Sequence, residues 1–350
     1  MIIKNFRGED FINRDKEIEF FLDYFNTNPK RVLWVYGPKS TGKTTLIEYI
    51  IENYLFAKRA YSIKYINFRR TLVGSFNNFI ESILEEKDEN ETQTELNRSY
   101  NLFGLFKLEA RTLKKIKENK KNLFNYLLEE FQKEQRKNIF IIDEIQSLQD
   151  IYINGDKLLL NEFLNFCAAL TKETHLSHVL ILTSNTIFLN EIYNNAKMKV
   201  TSSFKLIDHL SYQDIKTWLS TKKLFTLEEI AFIYKYLGGS VAHIKKLIDE
   251  YKYYSSLKEY LEEMVEITEN EIDFFIQKNK LSNKDVEKFK FVIKKIISNG
   301  YFDNKKYKGY IDLVSQFAEA EILFYDPVKN ITTANSKIYA VAFEKMVNRA

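Results

Sequence analysis

The sequence predicts an α/β fold with a parallel sheet core, followed by two smaller C-terminal units. Four short apolar runs, residues 31–36, 61–68, 138–144 and 179–185, have the length of buried strands and alternate with segments of helical spacing. That alternation predicts a parallel sheet covered by helices on both faces. The chain has 350 residues, 45% of them apolar, which is enough for two or three domains with buried cores.

The first strand is flanked by two helices. Apolar residues recur at helical spacing in 14–25, after Asn13 as the predicted helix cap, and Pro29 stops the helix from continuing. The apolar run 31–36 leads into GPKSTGKT, and TLIEYIIENYL then resumes helical spacing. The local order is therefore strand, glycine loop, helix.

A long segment, 71–136, separates the second and third strands. It contains an acidic run near 85–95 and a basic run near 107–121, which is typical of solvated helices. We predict a helical insertion there, with contact to a partner as the alternative.

The C-terminal part changes pattern twice. After the strand-like 203–210, helical segments at 212–219, 227–237 and 240–254 predict a helical lid. From residue 285 a helix ends near Gly300, and a second helix and two short strands around a Pro-containing turn follow it. Helix, helix, hairpin is the order of a winged helix. The predicted domains are an α/β core (1–205), a helical lid (206–280) and a winged-helix-like domain (281–350).

Composition excludes several classes of protein. The 52 basic and 48 acidic side chains leave a net charge of +4, which argues neither for nor against nucleic acid. A single cysteine, Cys167, excludes an internal disulfide and a Cys-only zinc site, and we interpret it as a small core residue. There is no apolar run of about 18 residues and no signal-peptide pattern, so we expect a cytoplasmic protein with no membrane partner.

The segment GPKSTGKT fits the phosphate-loop motif G-x-x-x-x-G-K-[ST] in full. Its glycines allow a tight turn whose N–H groups face phosphates, Lys43 reaches the β and γ phosphates, and the Thr44 hydroxyl occupies one position on Mg²⁺. A glycine turn without a ligand is the alternative, and for Thr45 a position in the helix is favoured over a ligand contact. The predicted nucleotide-binding residues of the loop are Gly37, Pro38, Lys39, Ser40, Thr41, Gly42, Lys43, Thr44 and Thr45.

Polar side chains lie at the ends of the third and fourth predicted strands. Asp143 is predicted to hold Mg²⁺, and Glu144 to polarise the attacking water, because both follow an apolar strand at the edge where such a sheet binds ligands. The alternative is a helix start that favours negative charge. Asn185 is predicted to sense the γ-phosphate, or instead to cap the following helix. No N-K-x-D segment follows the acidic strand, so ATP with Mg²⁺ is favoured over GTP.

These motifs resemble the additional-strand, catalytic-glutamate class of P-loop ATPases, and more narrowly the archaeal ATPase family related to AAA+ and STAND proteins. The resemblance rests on FINRDKEIEF, the Walker A segment GPKSTGKTT, IFIIDEIQSL, ILTSN, GGSVAHIKKLI and EILFYDPVKN. It implies an α/β ATPase core, a helical lid and a winged-helix-like domain. It also implies that Phe11, Ile12 and Arg14 lie near the adenine; a surface helix position is the alternative for Arg14.

The chain departs from the family pattern at two places. Where relatives carry Gly-Arg before the last core strand, NAKMKVTSSF offers only Lys197 and Lys199, so no arginine finger is expected from this chain. The family's proline after the paired glycines is Val241 here. Nearby His243 is predicted to pack in the lid, with a phosphate contact as the alternative.

A winged helix would offer 311–319 to a major groove, but IDLVSQFAEA contains no Lys or Arg. Basic residues instead surround the preceding turn, which predicts contacts to backbone phosphates, with protein binding as an equal alternative. They are Lys294, Lys295, Lys305, Lys306 and Lys308, with Lys329 in the hairpin. We expect a Mg²⁺-dependent ATPase acting on a DNA or protein partner, compatible with an oligomer. The rival hypothesis is a nucleotide-gated binding module with little hydrolysis.

Overall fold

The computed structural model describes residues 3–56, 60–69, 73–86, 106–108, 113–114, 116, 123–153, 157–194 and 196–349. Just under half of the predicted helical insertion, 71–136, lies outside these ranges. Within them, no helix combines the length and apolar content needed to cross a bilayer.

A five-stranded sheet forms the core of the N-terminal part. The strands of the described residues are β1 (Lys4–Phe6), β2 (Glu9–Phe11), β3 (Val32–Tyr36), β4 (Tyr61–Asn67), β5 (Leu84–Glu86), β6 (Phe106–Leu108), β7 (Lys137–Asp143), β8 (Tyr152–Ile153), β9 (Lys157–Leu158), β10 (Ser177–Thr183), β11 (Ser202–Leu206), β12 (Phe302–Asp303), β13 (Leu323–Asp326) and β14 (Ile331–Ala334). The strand order of the core sheet is β11-β3-β10-β7-β4 with every pair parallel, which confirms the predicted fold class.

Helices connect the core strands and make up most of the C-terminal part. They are α1 (Asp15–Asn26), α2 (Lys43–Ile50), α3 (Phe76–Ile83), α4 (Leu123–Lys133), α5 (Leu159–Ala168), α6 (Thr186–Asn194), α7 (Ala196–Thr201), α8 (Tyr212–Lys222), α9 (Leu227–Leu237), α10 (Val241–Glu250), α11 (Leu257–Lys278), α12 (Asn283–Asn299), α13 (Ile311–Glu319) and α14 (Lys337–Asn348). A π-helical turn, Ile51–Leu55, extends α2.

The sheet is buried on both faces. Alternate residues of each central strand point to opposite sides, so Trp34 and Phe140 belong to one apolar cluster while Val35 and Ile141 belong to another. Burial on both sides explains why these strands are continuous apolar runs in the sequence rather than alternating ones.

The predicted lid and winged-helix-like segments share one apolar cluster. Trp218 and Leu261 pack in the same cluster as Phe289, Phe317 and Phe343. The C-terminal segment has the predicted order of helix, helix and hairpin, and β12-β14-β13 form its small antiparallel sheet. The boundaries 1–205, 206–280 and 281–350 stay predictions.

The predicted helix cap at Asn13 is wrong. Helix α1 begins at Asp15 with Arg14 as the cap residue, and no side chain accepts a hydrogen bond at this end. The Asn13 side chain instead donates a hydrogen bond to the carboxylate of Asp214, 201 residues away. A long-range partner therefore uses the polar group that the local pattern assigned to the helix end.

Candidate functional site

The phosphate loop joins the end of β3 to the start of α2, and two of its glycines are required by geometry. A Cβ atom at Gly37 would lie 2.0 Å from the carbonyl oxygen of Ile207, so any side chain there would collide with the chain that follows β11. Gly42 precedes α2 with a φ of +83°, in the left-handed region that glycine adopts without strain. The loop is thus held tightly against the carboxyl edge of the sheet.

Lys43 folds back onto the loop that carries it. Its Nζ donates hydrogen bonds to the carbonyl oxygens of Gly37 and Pro38, both at 2.9 Å. Burial lowers the pKa of Lys43 to about 8, although the nearby charges of Asp143 and Glu144 oppose the shift. An anion at the loop would restore a favourable environment for this ammonium group.

Asp143 lies at the end of β7 and contacts the first turn of α2. Its Oδ2 accepts a hydrogen bond of 2.7 Å from the Thr44 hydroxyl and one of 3.2 Å from the amide of Asn67. Only 3% of the residue is exposed, and burial raises the pKa of Asp143 while the Thr44 hydrogen bond and Lys43 lower it. The predicted pair of Thr44 and Asp143 is therefore in direct contact.

This pair fits a magnesium ion held beside a bound nucleotide. A hydroxyl and a carboxylate are hard oxygen ligands, and Mg²⁺ is commonly held by one or two protein groups together with phosphates and water. In the described part of the chain, no group of three or more His, Cys, Asp or Glu side chains could hold a metal by itself. A metal at Thr44 and Asp143 would therefore need the phosphates of a nucleotide.

Glu144, the predicted base, is tied to two side chains that the sequence analysis missed. Its carboxylate forms an ion pair with Arg69 and accepts a hydrogen bond from the amide of Gln146. Burial raises the pKa of Glu144, and the charge of Arg69 lowers it. A signal for Arg69 was available, because it lies two residues past β4, which pairs with β7 in the sheet.

Asn185 caps α6, which is the alternative considered above. Its Oδ1 accepts a hydrogen bond of 2.9 Å from the Phe188 N–H, and its own N–H donates to the Thr183 hydroxyl at 3.0 Å. The cap uses the oxygen of the side chain, whereas a phosphate contact would use the amide N–H groups. The two roles are compatible, and the sensor role stays a prediction.

Arg14 connects the phosphate loop to neighbouring segments through hydrogen bonds. Its guanidinium donates to the carbonyl oxygens of Thr41 at 2.8 Å and Asp208 at 2.9 Å, and it pairs with Glu17 at 3.0 Å. These contacts join α1, the loop and the segment after β11. The predicted contact between Arg14 and the nucleotide stays a prediction, as do those of the buried Phe11 and Ile12.

The paired glycines bring the lid close to the end of the last core strand. A Cβ atom at Gly239 would lie 1.8 Å from the carbonyl oxygen of Leu210, whose N–H donates to the Gly239 carbonyl at 3.0 Å. Helix α10 begins at Val241, so the helix forms without the family's proline. Burial lowers the pKa of His243 to about 4, as expected for the packing role.

The C-terminal hairpin lies beside the phosphate loop, a contact that the sequence did not predict. Lys39 of the loop forms an ion pair with Glu321, and the Tyr36 hydroxyl donates to Asp326 at 3.1 Å.

The two lysines that stand near the expected position of an arginine finger lie in α7. Lys199 lies over the ring of Tyr193, 4.7 Å from its centroid, and the side chain of Lys197 lies outside the described atoms.

Comparison with known proteins agrees with this site. Residues 11–247 match an ATPase domain family described as predominantly from Archaea. Two ATP-binding proteins of Methanocaldococcus jannaschii are 31% and 33% identical to this chain, and the alignments cover 96% and 95% of it and 96% and 93% of those proteins. An ATP-binding protein of Pyrococcus abyssi is 27% identical, covering 97% of this chain and 99% of that protein.

A solved structure, the ADP form of the Aeropyrum pernix ORC2 protein, superposes with a TM-score of 0.49 at 11% identity, covering 97% of this chain and 95% of that one. The family match spans the phosphate loop, both acidic residues and the lid glycines. The chain therefore belongs to the ATPase domain family found predominantly in Archaea.

Proposed function

We propose that the protein is a Mg²⁺-dependent ATPase that couples its nucleotide state to movement of its C-terminal domain on a DNA or protein partner. One observation carries the proposal: Lys43, Thr44, Asp143 and Glu144 converge at the carboxyl edge of the sheet, with Thr44 and Asp143 in direct contact at 2.7 Å. That edge is where open α/β sheets bind ligands.

Each residue has a distinct role in hydrolysis. Lys43 exchanges its two carbonyl partners for the β and γ phosphates. Thr44 and Asp143 would hold the metal, which would supply positive charge to the phosphate oxygens. Glu144 orients the attacking water and accepts its proton. A bond forms between the water oxygen and the γ phosphorus while the bond from that phosphorus to the β–γ bridging oxygen breaks, leaving ADP and phosphate.

The contacts of the C-terminal hairpin support coupling. Lys39 lies in the loop that would surround the phosphates, and its partner Glu321 lies in the turn just before the hairpin. Tyr36 ends β3 and contacts Asp326 in the same hairpin. A phosphate that attracts Lys39 would compete with Glu321, so nucleotide binding would alter the contact between the two parts of the chain.

A second candidate function is a nucleotide-gated binding module with little hydrolysis. The observation that favours it is the ion pair between Arg69 and Glu144, which occupies the carboxylate that must accept a proton from water. An arginine finger contributes about 10³ to 10⁵ to the rate of enzymes that have one. If this chain supplies no finger, fast turnover depends on a partner that completes the site.

ATP turnover by the purified protein with Mg²⁺ tests the proposal, with Glu144→Gln as the key variant. Loss of the base should reduce turnover by about 10²- to 10⁴-fold while ATP still binds. Glu191→Gln, an exposed change on α6, is the matched control and should behave as the parent does. Equal turnover in Glu144→Gln and the parent would remove Glu144 as the base. ATP binding without turnover in the parent would favour the second candidate.

A further inference from the structure

The positive charge of the chain is concentrated in one segment of the C-terminal part. Residues 283–310 contain eight lysines, no arginine and three acidic residues, whereas the whole chain has 52 basic and 48 acidic side chains. The net charge of this segment alone therefore exceeds the net charge of +4 of the whole chain, and the rest of the chain is close to neutral.

Most of these lysines have no acidic partner. Lys290 pairs with Glu287 at 3.2 Å, but no other lysine of the segment has an ion pair within the described residues. We call the other seven the lysine surface: Lys284, Lys288, Lys294, Lys295, Lys305, Lys306 and Lys308. These ammonium groups are mostly exposed, and because they lie close together they repel one another. An anionic partner would reduce this repulsion.

An aromatic cluster holds the two parts of this surface together. The ring of Phe291 on α12 lies 5.3 Å from that of Tyr307 and 5.4 Å from that of Tyr310, measured between centroids. The Nζ atoms of Lys295 and Lys306 lie 5.4 Å and 5.5 Å from the ring centroids of Phe291 and Tyr307. The cluster therefore brings Lys295 of α12 and Lys306 of the following turn to the same side of the domain.

The helix and hairpin that a winged helix would offer to DNA face elsewhere. Helix α13 packs against α6 of the ATPase core, and its most exposed residues include Asp312 and Glu319, which would repel phosphates. The hairpin is held by the contact of Asp326 with Tyr36 and by that of Tyr325 with Asn190 at 3.1 Å. Both elements are thus engaged within the chain.

We infer that the lysine surface binds the phosphate backbone of duplex DNA, without entry of α13 into a groove. This inference rests on the proposed function and names its partner. Lysine ammonium groups act as mobile point charges and suit a repeating row of phosphates, whereas protein interfaces favour arginine and are depleted in lysine. The apolar side of α12, including Phe289 and Ile293, is buried in the domain and cannot insert into a bilayer.

Binding of a labelled 30-base-pair duplex to the full chain, measured as fluorescence anisotropy over a range of salt concentrations, tests the inference. The key variant replaces Lys294, Lys295, Lys305 and Lys306 with Gln. Its slope of log K against log salt should be shallower by about 3 to 4, because each lost phosphate contact removes roughly 0.9. Its affinity at low salt should be at least about tenfold weaker.

Two control variants separate this surface from general charge effects. The first replaces four exposed lysines elsewhere, Lys16, Lys30, Lys172 and Lys258, with Gln and should keep the parent's slope. The second replaces Asp312 with Asn and Glu319 with Gln on α13. If α13 entered the groove, removing these two charges would change the affinity more than the lysine substitutions do, and the inference would fail.

The remaining outcomes distinguish this inference from the proposed function. If the parent hydrolyses ATP but does not bind DNA, the proposed role of the lysine surface in DNA binding is overturned and the ATPase proposal stands. Loss of DNA binding in the lysine variant of a protein without turnover would support the surface and overturn hydrolysis. Binding of the parent to phosphatidylserine vesicles but not to the duplex would assign the surface to a membrane and overturn the inference. A thermal melt confirms that each variant folds.

Discussion

The nucleotide edge of the sheet and the lysine surface carry charge in opposite ways. At the nucleotide edge, the carboxylates are largely buried and bonded to neighbouring side chains, Asp143 to Thr44 and Glu144 to Arg69. On the lysine surface, seven ammonium groups have no acidic partner within the described residues. Buried and interconnected groups suit chemistry at fixed positions, whereas exposed and unpaired groups suit diffuse attraction of a polyanion.

Substitution of Lys43 should have the largest effect at the nucleotide edge. Lys43→Ala removes the ammonium group that would contact two phosphates, so we expect ATP affinity to fall by about 100-fold, the value of a strong charged hydrogen bond or two. Isothermal titration calorimetry measures the loss. Lys64→Ala, which removes a half-buried lysine over the rings of Phe106 and Phe131, is the matched control and should leave affinity unchanged. If both variants bind as the parent does, the loop does not hold the nucleotide through Lys43.

Nucleotide binding at the edge of the sheet should also depend on pH. Burial lowers the pKa of Lys43 to about 8, and a bound phosphate favours the protonated form. ADP affinity in EDTA should therefore be constant below pH 8 and should fall above it by up to about tenfold per pH unit. Titrations from pH 7 to 9.5 measure this, and Lys43→Arg, which stays charged, should remove the dependence. If the ADP affinity of the parent does not change up to pH 9.5, burial does not lower the pKa of Lys43 as expected.

The core and the main site residues are predictable because their signals are local. Residues 31–36, the phosphate-loop motif and the following helical spacing are contiguous, and the structure places β3 at Val32–Tyr36 and α2 at Lys43–Ile50. Asp143 and Glu144 are detectable because an apolar strand precedes them directly. Because the strands of the core sheet are parallel, their carboxyl ends, and with them these residues, lie at one edge of the sheet.

Contacts between distant residues carried no such signal. Arg69 and Glu144 are 75 residues apart, and Lys39 and Glu321 are 282 residues apart. Glu144 and Lys39 lie in motifs that the sequence shows, and Arg69 follows a strand, but no local pattern identifies Arg69 and Glu321 as their partners. The helix α11 is different: its buried residues recur at helical spacing, so its pattern was present in the sequence although no helix is predicted there.

The ion pair of Glu144 should have a moderate effect. Arg69 is largely exposed, with 63% of its side chain accessible, so solvent screens its attraction to Glu144. A pair of this kind contributes about 0.2–1 kcal/mol. Arg69→Ala should therefore release Glu144 and raise basal turnover by about 2- to 5-fold. If turnover falls instead, Arg69 stabilises the transition state. Arg136→Ala, which breaks a distant ion pair with Glu134, is the control.

The pair of Lys39 and Glu321 should have the smallest effect, although it lies at the nucleotide edge. Both side chains are partly exposed, at 52% and 34%, so the pair resembles the lysine surface more than its buried neighbours. Glu321→Gln should change the free energy of unfolding by less than about 1 kcal/mol and strengthen ADP binding by no more than about twofold, because Lys39 loses a competitor for phosphate. Both differences should vanish at 1 M salt, where charges are screened within about 3 Å. A larger or salt-resistant effect would mean that position at the edge, rather than burial, determines how strongly a charge acts here.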